Sequence, residues 1–112
     1  MHELSICKSI LDIVDRHAAG REVQTVHLRV GALRQIVPDT LVHCWSLVNE
    51  QTALAGSELR VERVPAAIRC RSCAHVQTLD EPILVCDGCG GTEVEIVAGE
   101  EFLITALELA EA

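Results

Sequence analysis

The stretch CRSCAHVQTLDEPILVCDGC, residues 70–89, contains two C-x-x-C turns, at 70–73 and 86–89, with twelve residues between them. Two residues between cysteines allow both thiolates of a tight turn to reach one ion, and a second such turn completes a tetrahedron. Four thiolates suit Zn²⁺ and close its coordination shell, which is typical of a structural site. The stretch therefore predicts a zinc ribbon whose ligands are Cys70, Cys73, Cys86 and Cys89.

A redox dithiol of the thioredoxin type is the alternative use of a C-x-x-C motif. That chemistry needs one motif at the start of a helix after a strand, whereas both pairs here lie among turns. Residues 66–98 as a whole are too poor in apolar side chains to fold without a cross-link such as a structural metal ion, so we expect a small zinc-ribbon domain there. His75, beside the first turn, could replace a cysteine as a zinc ligand, but because four thiolates are available we expect it to donate a hydrogen bond from outside the ligand set.

Outside this segment, the hydrophobic pattern predicts two amphipathic helices. Apolar side chains recur at helical spacing over residues 4–18, and again for about three turns after Pro38. Proline suits a first helical turn, and Asp39 is expected to cap it. Cys7 and Cys44 fall on the apolar helix faces and are interpreted as buried, inert core thiols.

Strand patterns complete the first domain. Residues 23–30 and 59–62 alternate between apolar and polar side chains, and the apolar run 102–107 predicts a largely buried strand. Because this last strand follows the ribbon, we expect it to return to the first domain's sheet. The expected domains are 1–65 plus 99–112, and 66–98.

Charge is distributed unevenly along the chain. All nine basic residues lie at or before residue 71, and nine acidic residues follow it, within a net charge of −8. The negative net charge and an aromatic content of 2% disfavour nucleic-acid binding, because that function needs basic side chains for the phosphates and aromatic side chains on which bases stack. The acidic third is either a solvated surface or a docking surface for a basic partner.

Several other function classes lack support in the sequence. The start of the chain lacks the features of a signal peptide, and no apolar run approaches the ~18 residues of a membrane span. We therefore expect a soluble, cytoplasmic protein without a membrane partner. Since the chain contains no Ser/His/Asp set, P-loop or dinucleotide fingerprint, nothing in it indicates an enzyme.

The amino terminus offers a second set of metal donors. The α-amine of Met1, the amide nitrogen and imidazole of His2, and the amide nitrogen of Glu3 can form adjacent chelate rings in one plane. Nitrogen-rich planar coordination is preferred by Ni²⁺ or Cu²⁺ rather than by zinc. The alternative is that His2 is simply an exposed residue and Glu3 a favourable charge at a helix N-terminus.

The sequence Met1-His2-Glu3-Leu4-Ser5 before an amphipathic helix, combined with two C-x-x-C turns in a late insert, resembles the HypA/HybF family of hydrogenase maturation nickel metallochaperones. The similarity extends along essentially the whole chain. It implies an α+β fold, with two helices on a three-stranded mixed sheet and an inserted zinc ribbon that holds its ion with four cysteines.

The same resemblance implies the roles of particular residues. Nickel would be carried at Met1, His2 and Glu3 and zinc at the four ribbon cysteines, and Asp39 matches a carboxylate near the nickel site of some members. Implied partners are a nickel-handling GTPase, the large subunit of a [NiFe]-hydrogenase and, for some members, urease maturation proteins. The competing hypothesis is a zinc-ribbon adaptor or nucleic-acid-binding module whose terminal histidine is incidental.

Overall fold

The fold combines helices with two small sheets. A computed structural model describes the backbone of residues 2–110 and the side chains of residues 3–110. The elements are α1 (His2–Ala18), β1 (Val23–Gly31), α2 (Pro38–Asn49), β2 (Glu58–Val64), β3 (Ala66–Cys70), β4 (Val76–Leu79), β5 (Val94–Ala98) and β6 (Phe102–Leu109). The strand orders are β2-β1-β6 in the first sheet and β4-β3-β5 in the second.

The first sheet is mixed and is accompanied by both helices, which confirms the expected fold class. Internal contacts divide the chain into two compact units. One comprises residues up to 29, 36–62 and those from 103 onward, and the other comprises 30–35 and 63–102. The domain boundaries predicted from the sequence, at 65/66 and 98/99, stay predictions.

The core of the first unit is formed by the apolar helix faces and one face of the first sheet. Val26 and Leu28 of β1 are fully buried, as the alternating pattern predicts. The helices contribute the buried side chains Cys7, Ile10, Val14, Leu41 and Trp45. The ring N–H of the buried Trp45 is also paired, because Nε1 donates a 3.0 Å hydrogen bond to Ser57 Oγ. No helix in the described part of the chain is long and apolar enough to cross a membrane.

The start of α2 corrects one prediction. Pro38 is the first helical residue, but the capping position belongs to Val37, and no side chain caps the helix. The proline sets the start of the helix and holds the preceding residue extended, which places Asp39 two positions after the cap. Asp39 is therefore an exposed acid in the first turn, where a negative charge favours the helix dipole.

The last strand corrects another prediction. β6 pairs with β1, so the expected return to the first sheet is confirmed. It is not largely buried, however, because Phe102 is only half-buried and Leu103 is 50% exposed. β6 occupies the edge of the sheet, where fewer neighbouring strands and side chains cover it.

The second unit is organised around β3. This strand pairs antiparallel with β4, from Ala66 opposite Leu79 onward, and antiparallel with β5, as far as Cys70 opposite Val94. Ala66 and Ile68 are buried in this small sheet. β3 therefore leads directly from a paired central strand into the first C-x-x-C turn.

Two glycines allow backbones in the second unit to approach closely. A Cβ at Gly31 would lie 2.0 Å from the carbonyl oxygen of Gly99, and a Cβ at Gly99 would lie 2.7 Å from Ala66 Cα. The N–H of Gly31 donates to the carbonyl of Glu101 at 2.7 Å, and that of Leu33 donates to Gly99 at 2.8 Å. The two ends of the segment that carries the ribbon, near Ala66 and Gly99, thus lie in contact.

We expect Gly31→Ala to destabilise the protein by about 1–3 kcal/mol or more, because the methyl group meets backbone that cannot rotate away. The φ of −74° at Gly31 suits alanine, so the loss of stability would come from the steric clash alone. Gly56→Ala is the matched control, because its site is open but its φ is +85°. Thermal denaturation should show a marked loss for Gly31→Ala, with Gly56→Ala as the reference for backbone strain without a clash, and a Gly31→Ala variant as stable as wild type would contradict a steric cause.

A side-chain hydrogen bond joins β1 to β6 on the exposed side of the first sheet. His27 Nε2 lies 2.6 Å from Glu108 Oε2. This hydrogen bond holds the pKa of Glu108 below its ordinary value of 4.5, although desolvation opposes the shift. A carboxylate with a lowered folded-state pKa stabilises the protein above its unfolded-state pKa and loses that contribution as pH falls through the folded-state value.

The Glu108→Gln variant is therefore expected to lose stability less steeply than wild type as pH falls below about 4.5. Thermal midpoints measured from neutral to acid pH would test this, with the exposed Glu50→Gln as the control variant. Parallel pH profiles for wild type and Glu108→Gln would show that the pair contributes nothing.

Candidate metal centres

The two C-x-x-C turns have matching backbone geometry. The N–H of the first cysteine donates to the carbonyl five residues later, at 2.8 Å for Cys70 and 2.9 Å for Cys86. The N–H four residues after that cysteine returns a bond to its carbonyl, from Ala74 at 2.9 Å and from Gly90 at 2.8 Å. Ala74 and Gly90 have φ values of +64° and +74°, so a left-handed residue follows each pair of cysteines.

These turns bring the four predicted zinc ligands together. Their sulfur atoms all lie within 4.8 Å of one another. The Sγ atoms of Cys70 and Cys89 are 3.6 Å apart, as are those of Cys73 and Cys86. A tetrahedron with Zn–S bonds of ~2.3 Å has sulfur–sulfur edges of about 3.8 Å. The arrangement therefore fits Zn²⁺ with only a small adjustment.

The electrostatics of the cluster also favour a divalent cation. Backbone N–H groups of Cys73 and Ser72 stabilise the Cys70 thiolate and lower the pKa of Cys70 to about 6. At Cys73 the N–H of His75 lowers the pKa, but the thiol of Cys86, burial and the other sulfurs outweigh it and raise the pKa to about 12. One thiolate is thus stabilised while a neighbour keeps its proton. A bound dication would remove the repulsion among the thiolates and release those protons.

A polar network ties the second turn to the first. His75 Nε2 lies 2.7 Å from Asp87 Oδ1, so the imidazole bonds a carboxylate of the second turn rather than a sulfur. Gln77 supports the same turn, because its Oε1 accepts from the N–H of Asp87 at 2.9 Å and its Nε2 donates to Val85 at 3.2 Å. No spacing pattern in the sequence predicts this network, because its members come from separate turns and a strand.

The predicted nickel residues are placed only in part. Glu3 is half-buried in the first turn of α1, and Asp39 is exposed in the first turn of α2. Met1 and the side chain of His2 lie outside the described residues, so the planar chelate stays a prediction. Cys7 Sγ donates to the carbonyl of Leu41 at 3.4 Å, which places the early turns of the two helices against each other.

The remaining histidines lie at or near the surface, and the two helix thiols differ in burial. His17 and His43 are exposed and His27 is half-buried. Cys7 is fully buried, as predicted. Cys44 is half-buried, which corrects its expected place in the core.

Comparison with known proteins gives one consistent family. A family model described as "Hydrogenase/urease nickel incorporation, metallochaperone, hypA" matches residues 1–109. A hydrogenase maturation factor HypA from Nostoc punctiforme is 37% identical over 111 residues, covering 99% of this chain and 97% of the relative. The HypA from a Geobacter species is 39% identical over 112 residues, covering 97% and 99%.

Two solved structures share the fold. The solution structure of the Ni metallochaperone HypA from Helicobacter pylori has a TM-score of 0.65 and 20% identity, with 96% of each chain covered. A second solution structure, of a HypA protein, has a TM-score of 0.69 and 22% identity, with 98% of this chain and 97% of that chain covered. At these identities the likeness concerns the fold alone.

Proposed function

The chain belongs to the HypA family of hydrogenase and urease nickel-incorporation metallochaperones, and from this premise we propose that it carries Ni²⁺ at its amino terminus and delivers it, without catalysis, to the large-subunit precursor of a [NiFe]-hydrogenase in the cytoplasm. The observation that carries the proposal is the whole-chain match to a nickel-incorporation family in a chain that begins Met1-His2-Glu3.

The start of α1 supports the proposed nickel ligands. α1 begins at His2, so the N–H groups of His2 and Glu3 are among the first four of the helix, which have no acceptor within it. These amides can lose their protons to nickel without breaking a helical hydrogen bond. Together with the α-amine of Met1 and the imidazole of His2 they supply four nitrogen donors, the set that Ni²⁺ prefers in a plane.

Asp39 is a further candidate for an auxiliary residue near the proposed nickel site. It lies two residues before Leu41, whose carbonyl accepts the thiol of Cys7, and Cys7 lies one turn after Glu3. The contact between the helices therefore places the first turn of α2 beside the early turns of α1. A carboxylate there would add negative charge near a bound cation and could accept a hydrogen bond from its ligands.

Zinc has a different role in the proposal. Cys70, Cys73, Cys86 and Cys89 would hold Zn²⁺ as a resident ion, with all four positions closed. Because the ribbon has a small apolar core, the ion would fix its two turns in place, and His75 and Gln77 would orient the second turn. We propose residues 66–98 as this zinc domain and residues 1–65 plus 99–112 as the nickel domain.

The proposed partners are a nickel-handling GTPase and the hydrogenase large subunit, with urease maturation proteins as a further class that the family description supports. The uneven charge of the chain suits protein partners better than nucleic acid, because the last third carries nine acidic residues and no basic one.

Association with such a partner is expected to slow as salt rises, with a smaller change in dissociation, because screening weakens steering between separated charges. The double variant Asp80→Asn, Glu81→Gln removes two exposed acids of the ribbon and should reduce this dependence. Glu50→Gln, outside the acidic third, is the control. An association rate indifferent to ionic strength would leave the acidic third as a solvated surface only.

Nickel titration of the zinc-loaded, untagged protein tests the proposal. Calorimetry should show one nickel bound separately from zinc, and metal analysis should show that zinc is retained. A zinc-ribbon adaptor would bind zinc and no nickel, and this outcome would overturn the proposal in favour of the alternative.

A further inference from the structure

We propose that Cys7 of α1 and Cys44 of α2 form a redox pair that a two-electron oxidant converts into an intramolecular disulfide between the helices. The inference concerns the helix pair alone and does not depend on which metal the amino terminus binds. It adds a covalent modification site to the first unit, and the remaining cysteines, Cys70, Cys73, Cys86 and Cys89, belong to the second unit and are not involved.

The first argument is the closeness of the two helices at Cys7. Its sulfur lies 3.4 Å from the carbonyl oxygen of Leu41, which is a backbone atom of α2. A cysteine side chain is short, so its sulfur can touch another backbone only where the two helices approach closely. A disulfide needs a Cα–Cα separation of about 4.4–6.8 Å, so a cysteine of α2 that pairs with Cys7 has to lie close to Leu41.

The second argument is the direction of the Cys44 side chain. Helical side chains point back toward the helix N-terminus and cover the preceding turn. Cys44 follows Leu41 by three residues, so the two residues share a face of α2, and the Cys44 side chain is expected to lean toward the turn that the Cys7 sulfur touches. The electrostatic effect of Cys44 on Cys7 agrees with this placement, because burial and, next, Cys44 raise the pKa of Cys7 to about 11.

The two thiols differ in solvent exposure, and this difference determines which of them is oxidised first. Cys44 is half-buried and meets solvent, whereas Cys7 is 0% exposed. With hydrogen peroxide as oxidant, the Cys44 sulfur attacks the O–O bond and becomes a sulfenic acid, and one water is released. The Cys7 sulfur then attacks the sulfenic sulfur, and the S–S bond replaces the S–OH bond as a second water leaves.

The balance is two thiols and one peroxide giving one disulfide and two waters, with two electrons passing from sulfur to the peroxide oxygens. Because the raised pKa of Cys7 makes its thiolate scarce at neutral pH, the second step is expected to be slow there and faster in mild alkali.

The test uses the full-length, zinc-loaded protein, in which zinc protects the ribbon thiolates. The protein is treated with hydrogen peroxide at mildly alkaline pH, its free thiols are alkylated after denaturation, and it is digested without reduction. Mass spectrometry should find a peptide pair linked through Cys7 and Cys44 and an intact monomer lighter by two hydrogens. The thermal midpoint should rise by several degrees and return after reduction, because the link constrains the unfolded chain.

Two variants make the test specific. Cys44→Ala changes a half-buried site, so it should fold normally and show no rise of the thermal midpoint on oxidation. Cys7→Ala should leave Cys44 to oxidise without a partner, as sulfenic or sulfinic acid. The proposal is overturned if the wild-type protein gives the same Cys44 oxides with Cys7 still a free thiol, if it forms only intermolecular dimers, or if ribbon cysteines link while the helix pair stays reduced.

Discussion

Adding a single residue before Met1 is expected to abolish nickel binding while leaving the zinc content unchanged. The proposed site uses the α-amine of Met1 together with the amide and imidazole of His2. An added residue turns that amine into an amide and changes the chelate ring sizes, so the planar set of donors is lost. The zinc content should not change, because the four proposed zinc thiolates lie in the second unit and would close their own shell.

The matched substitutions are His2→Ala, which removes the imidazole but keeps the amine, and His43→Ala, which removes an exposed histidine of α2. Nickel binding by absorbance and calorimetry should be lost in the first variant and retained in the second. Mild acid should release nickel, because protons compete with the ion for the imidazole and amide nitrogens. If the extended protein or His2→Ala binds nickel as wild type does, the nickel site lies elsewhere.

Replacing Cys73 by serine is expected to unfold the ribbon while the helical unit stays folded. Zinc bound by four thiolates contributes about 10–16 kcal/mol in small metal-dependent domains, so losing one ligand removes most of what holds the segment together. Residues 66–98 have only a few buried apolar side chains to compensate.

Amide hydrogen exchange, with zinc counted in parallel, measures this effect residue by residue. Protection should vanish across β3, β4 and β5 and persist in α1 and α2. Ser72→Ala changes a neighbouring side chain in the same turn without removing a ligand, so it should keep both zinc and protection. Exchange protection that survives in the ribbon of zinc-free Cys73→Ser would contradict a metal-dependent fold.

Much of the fold could be predicted because strong periodic patterns coincide with buried faces. The helical spacing of Ile10 and Val14, and the alternation of Val26 and Leu28, are the consequence of one-sided burial. The four ribbon cysteines could be predicted as a cluster because their spacing is itself the constraint on the site. Such signals are local, and a single sequence carries them in full.

The features that were missed depend on neighbours distant in the chain. β3 begins with two alanines and is short, so its pattern is weak, and its strand form depends on pairing with both β4 and β5. The exposure of β6 follows from its edge position, which the strand order decides. The bond between His75 and Asp87 exists only once the two turns face each other.

The contact between Ala66 and Gly99 has a consequence for how this architecture can change over generations. A segment whose two ends lie in contact can become longer or shorter, or be replaced, with little entropic cost. The ribbon is therefore a module in the evolutionary sense, free to diverge in length and in the sequence between its two C-x-x-C turns. What must be kept is narrower: the glycines at 31 and 99, where two backbones pass with no room for a side chain.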